Sequence, residues 1–114
     1  NHFHKKGALA AARQDDLVNP KKESSGSQFY IVQGKPVTDG ELNNFNSTRR
    51  SPFTELEIKT YKELGGYPSL DFNYTVFGEV TKGLDVVEAI SKVKISPRGR
   101  PEKDVKIISA RILK

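Results

Sequence analysis

The chain has 114 residues, 35% of them hydrophobic, and 19 Lys and Arg against 14 Asp and Glu give it a net charge of +5. That size suits one modest domain with a small core, and the absence of cysteine excludes a disulfide framework, a cysteine nucleophile and a cysteine metal site. The basic residues are scattered, without the aromatic-rich stripes that stack bases, which argues against specific nucleic-acid binding. No apolar run is long enough to span a bilayer and no signal peptide is visible. The chain opens on Asn-His-Phe-His without a starting Met, so an upstream signal or anchor is compatible with it, and cysteine usage does not choose between cytoplasm and periplasm.

In chain order, Gly7 to Ala12 is small and apolar; alanine alone favours helix, but the run is short and begins at glycine. Residues 14–26, with Asn19-Pro20 and Ser24-Ser25-Gly26, form a polar loop. Residues 27–33 alternate polar, aromatic and β-branched side chains as a strand does, so Gln28, Tyr30 and Val32 point one way and Phe29 and Ile31 the other. One face can bury itself, and the other offers an amide and an aromatic wall to a ligand. Thr38 with Glu41, and Thr54 with Glu57, have capping-box spacing. The second box begins a short helix over 55–64, with Gly65 as its C-terminal stop. Residues 46–52 read as an exposed tip. Tyr74–Val80 is a further strand, and Leu84, Val87 and Ile90 give an amphipathic helix over about 83–93. Pro97 to Pro101 is a turn-rich basic loop, and 104–113 is a strand rich in Ile and Val.

The chemistry-bearing residue types form no hydrolytic or nucleotide-binding pattern. No Ser–His–Asp order, phosphate loop or Rossmann glycine pattern is present. His2 and His4 alternate as if on a strand, but two histidines at a chain end with no carboxylate nearby in sequence make a poor metal set. Asp15-Asp16 reads as loop polarity.

Ser25-Gly26-Ser27-Gln28-Phe29-Tyr30-Ile31-Val32, followed at a distance by Leu70-Asp71 and Val76-Phe77-Gly78-Glu79-Val80, resembles the cyclophilin family of peptidyl-prolyl cis-trans isomerases. Each piece alone is weak; the combination is specific. The resemblance implies a mainly β fold, a cyclophilin-like antiparallel β-barrel, of which residues 1–114 are the C-terminal portion of a single domain. Gly7–Ala12 then becomes a buried strand, 104–113 the closing strand, and 36–68 an insertion. Residue by residue, Gln28 is similar to the family's substrate-contacting glutamine and Tyr30 to the aromatic of its proline pocket. Ala12-Arg13 resembles the pair whose backbone meets the peptide, Leu70 the pocket leucine, and Tyr74 the position where many members have His.

The implied activity is isomerisation of X-Pro bonds in proteins, with no cofactor and with proline-containing peptides or unfolded proteins as partners. Two departures bear on it. Ser69 stands where many members have Trp, and the family's catalytic arginine lies on an earlier strand. Lys5 does not match that position, and Arg13, Arg49, Arg50, Arg98, Arg100 and Arg111 sit at non-equivalent places, where solvated surface charge is the expectation. Two other readings accompany the enzyme: a proline-peptide binding module without turnover, and a fragment that needs a partner chain to complete its site. Removing a barrel's first strands also exposes strand edges, which predicts self-association through them.

Overall fold

The structure is a computed structural model describing residues 2–113. Three antiparallel strands form one sheet in the order β2-β1-β3, with β1 spanning Ala8–Ala11, β2 Phe29–Ile31 and β3 Val76–Glu79. The alanine-rich segment is therefore strand rather than helix, because it is held on both sides. Ala10 pairs with Tyr30 on one side and with Val76 on the other, where the register shifts at a bulge between Leu9 and Ala10. The bulge leaves Phe77 as the extra residue, and its ring is exposed. Small side chains suit this central position: Ala8 and Ala10 are fully buried, beneath Tyr30 and Val32 on the same face. Both ordered strands flanking β1 are shorter than the 27–33 and 74–80 expected.

The 36–68 segment, read as a partly helical insertion, carries two helices and holds the apolar core. Helix α1, Asp39–Asn46, starts at Thr38, whose side chain accepts from the Glu41 amide. Helix α2, Glu55–Glu63, starts at Thr54 with both hydrogen bonds of a capping box to Glu57. Gly65, at φ 95°, ends α2 in the left-handed region that glycine enters without a Cβ penalty. Between the helices Val37, Leu42 and Tyr61 form the buried cluster, with Phe3 and Phe53 packed against it. Both rings meet Tyr61 edge-on, at centroid separations of 5.2 and 5.9 Å. A single 3-10 turn, Pro68–Leu70, leads on to β3, and helix α3, Leu84–Ser91, follows.

One expected strand is absent, and the sheet is less complete than a barrel. Residues 104–113 form no strand; Ile108, Ile112 and Leu113 are almost fully exposed. A strand needs a neighbouring edge for its ladder hydrogen bonds, and this segment lies on neither edge of the described sheet. The sheet itself is open, with β2 and β3 as edges, so a closed barrel is not seen. Helices also hold more residues than strands. The face of β2 that buries is the one bearing Tyr30 and Val32, whereas Phe29 is half exposed. Gly7–Ala12, expected as a buried strand, holds the central strand of the sheet, with Ala8 and Ala10 buried.

Candidate functional site

Arg13, Tyr30 and Tyr74, three of the six residues picked out from the sequence, come together beside β1. The Tyr30 and Tyr74 rings meet nearly perpendicular, with centroids 5.8 Å apart. The Arg13 guanidinium lies over the Tyr74 ring at 4.6 Å, donates from Nε to the Asn73 carbonyl at 2.7 Å and from Nη1 to Asp16 at 2.7 Å. Its side chain is only 7% exposed, so solvated charge is the wrong description. A delocalised cation with a planar fork tolerates burial when an aromatic face and several acceptors surround it.

The other three are placed differently. Ala12 donates its amide to the Gln28 carbonyl at 3.0 Å and accepts from Ser25 at 2.8 Å. Its backbone is thereby used within the chain, whereas Arg13's amide and carbonyl have no hydrogen-bond partner among the described residues. Gln28 presents an exposed side chain just before β2. Leu70, half-buried, closes the 3-10 turn. It is joined to Tyr30 indirectly, through the residue that follows it.

That residue, Asp71, is the hub of a buried polar network that the sequence reading did not anticipate. Asp71 Oδ1 accepts from the His4 amide and meets His4 Nδ1, both at 2.9 Å. His4 Nε2 lies 2.8 Å from the Tyr30 hydroxyl, and the Tyr61 hydroxyl donates to Asp71 Oδ2 at 2.6 Å. His4 and Tyr61 are no more than 1% exposed and Asp71 is 9% exposed. A carboxylate can only accept, so Nδ1 carries a proton toward Asp71, and in the neutral imidazole Nε2 then accepts from the Tyr30 hydroxyl. Both His4 ring nitrogens are thereby committed, and the histidine is a structural link rather than one half of an alternating pair with the exposed His2. The turn after Asp71 is tight: Phe72 has φ 67°, the left-handed region that a bulky residue rarely enters.

Arg49, also expected in solvent, is folded inward from the 46–52 tip. Its guanidinium stacks on Phe53 at 3.6 Å and stands 5.1 Å from the Phe72 ring. Nη2 lies 3.3 Å from Glu57 and 3.7 Å from Asp71, while Nε and Nη1 are buried without a partner. Two carboxylates and two aromatic faces draw the charge in.

Electrostatics keep the network protonated where it must donate. Burial, reinforced by Tyr74 and Asp71 and opposed by Arg13, pushes the Tyr30 phenol up to about 12. Burial and the hydrogen bond to Asp71 raise Tyr61 further still. Both hydroxyls therefore remain donors at neutral pH. The resulting surface has an aromatic wall, a cation lying on it, and an exposed amide side chain nearby. Such a surface suits holding a peptide by shape and hydrogen bonds.

His4, Asp71, Tyr61 and Arg49 carried little signal in the sequence. Asp71 stood beside Leu70 in the motif, but the weight fell on its neighbour, and Tyr61 lay in a predicted helix with nothing to single it out.

Comparison with known proteins gives two kinds of match. The family described as cyclophilin type peptidyl-prolyl cis-trans isomerase/CLD matches residues 1–112. A protein of Staphylococcus saprophyticus is 35% identical over 97 residues, covering 85% of this chain and 48% of the relative. One of Staphylococcus aureus (strain COL) is 35% identical over 109 residues, covering 96% of this chain and 51% of the relative. Both bear the name "Putative peptidyl-prolyl cis-trans isomerase". The chain thus spans about half the length of the relatives it matches.

Proposed function

The chain belongs to the cyclophilin type peptidyl-prolyl cis-trans isomerase family, and from that premise we propose that the protein containing it isomerises X-Pro bonds in polypeptide clients. The observation that carries the reading to particular residues is the Arg13–Tyr74–Tyr30 cluster, which falls on three positions matching the family's peptide-binding side. In this reading Tyr30 and Leu70 wall the prolyl ring. Gln28 and the free backbone of Arg13 hold the flanking peptide, and Ala12 contributes by fixing the Gln28 strand against β1.

The chemistry is rotation about a partial double bond, with a barrier of about 18–20 kcal/mol. No bond to the protein forms. Holding the ring while the preceding carbonyl turns, with water excluded, lowers that barrier. In the family an arginine donates to the prolyl nitrogen as amide resonance is lost. Arg13 and Arg49 are both packed into other contacts, so we assign that donor to a segment outside these residues. The finer fold follows the same logic. Strands from the remainder of the protein pair with β2 and β3, completing an antiparallel barrel of which these residues are the C-terminal portion.

The test is exchange of a proline peptide followed by NMR or by a protease-coupled assay. Uncatalysed exchange takes tens to hundreds of seconds, so even slow turnover is visible. The full-length protein is expected to accelerate exchange, and residues 1–114 alone to do so weakly or not at all. A full-length protein that binds proline peptides without accelerating exchange would overturn the enzymatic reading.

A further inference from the structure

The aromatic wall assigned to the proline ring is tied to the 36–68 segment, which lies outside the strands that form that wall. From Tyr61 in α2, a continuous path runs through the Asp71 carboxylate and the His4 imidazole to the Tyr30 hydroxyl, with links of 2.6, 2.9 and 2.8 Å. Every member but Tyr30 is buried, so water is kept from the Tyr61–Asp71 and Asp71–His4 links. Tyr30's hydroxyl is held at one end, and its ring is held edge-on against Tyr74.

The backbone shows a second, independent attachment at the same place. The end of the segment is stitched to the backbone around His4: Tyr67 donates to the His4 carbonyl at 2.8 Å and Lys6 to the Gly65 carbonyl at 2.8 Å. Gly66 bridges to both Lys5 and Lys35. A Cβ on Gly66 would come within 2.3 Å of the His4 carbonyl oxygen and 2.6 Å of the Tyr61 ring. The closeness of that approach leaves His4 no independent position: where α2 and the Gly65-Gly66 turn sit, His4 sits.

We propose that the 36–68 segment is a brace for the substrate pocket, with Tyr61, Asp71 and His4 as positioning residues that set the Tyr30 ring. The proposal rests on the reading of Tyr30 as a pocket wall. A chain of hydrogen bonds transmits position only if each link is needed, so losing any one should loosen the ring to a similar degree. Substrate binding should suffer more than the rotation step, since the wall holds the ring and does not itself supply a proton.

The experiment uses the full-length protein and a proline peptide, with steady-state kinetics and NMR of the Tyr30 ring. Tyr30→Phe, His4→Asn and Tyr61→Phe are each expected to lower kcat/KM about threefold to tenfold, the worth of one hydrogen bond, mainly through KM. His4→Asn added to Tyr30→Phe should cost nothing further, because the link is already gone. Tyr61→Phe should shift the Tyr30 ring resonances although the two side chains do not touch. Losses that multiply in the double variant would overturn the proposal. So would Tyr30 resonances unmoved by Tyr61→Phe, a variant that retains its ring packing and decides the matter even when His4→Asn does not fold. If the wild-type protein lacks turnover the enzymatic reading fails, while the ring resonances still report on the brace.

Discussion

Tyr30 gives up its proton only at the expense of the network it anchors, because the phenolate would be half-buried, close to Asp71 and unable to donate to His4. Its folded-state value of about 12 stands above the ordinary 10.0. A raised value means the folded state holds a proton that the unfolded chain releases. The stability contributed is therefore complete below pH 10 and lost as pH rises from about 10 through about 12. Tyr61 shifts in the same direction and adds to the loss. Spectrophotometric titration of tyrosinate is expected to show a late component that disappears in Tyr30→Phe, with the unfolding temperature falling across the same interval. A tyrosinate curve unchanged by Tyr30→Phe would show that the hydroxyl is not held as described.

Helices with local signals were read well at the element scale, and strands were read less well. The 55–64 prediction matches α2 within a residue because its start and stop are written in adjacent side chains, Thr54, Glu57 and Gly65. The capping box makes a definite prediction. Thr54→Ala is expected to cost about 1 kcal/mol and to lower the melting temperature, with Thr54→Ser recovering most of it. Because α2 carries Tyr61, hydrogen exchange at its first turn should rise in Thr54→Ala. Thr38, with only half a box, should matter less. The Gly7–Ala12 segment shows the opposite situation: its composition points to helix, and only pairing with Phe29–Ile31 and Val76–Glu79 makes it a strand. Non-local pairing leaves little trace in a short alanine run. The same holds for the site. Gln28, Tyr30, Leu70 and Tyr74 were picked out as candidates through a motif, whereas the His4–Asp71 link joins residues 67 positions apart and is visible only once the fold brings them together. Arg49 was illegible for a related reason, since nothing in Ser-Thr-Arg-Arg-Ser distinguishes the arginine that turns inward from Arg50, which stays exposed.

The molecule as a whole divides into a well-covered half and an uncovered one. The core of Val37, Leu42 and Tyr61 and the polar network beside it lie on one side of β1. Away from that core, Phe29, Phe77, Val86, Ile90 and Ile107 are half exposed or more, and β2 and β3 each leave an edge unpaired. Scattered apolar residues on a surface are ordinary, but here they accompany two open edges and a segment, 104–113, that holds Val105, Ile107, Ile108 and Ile112. An unpaired edge is a template for another strand, and a domain with about 5–15 kcal/mol of stability in all has little with which to resist such pairing. The 114 residues produced on their own are therefore expected to associate through these edges, in a concentration-dependent manner, and to bind a dye for exposed apolar surface. In the full-length protein, where we place the missing strands on those same edges, both behaviours should be absent. Light scattering on the two proteins makes the comparison. A folded, strictly monomeric species of 12.7 kDa from residues 1–114 alone would show that water and the local core suffice, and that neither edge requires a partner.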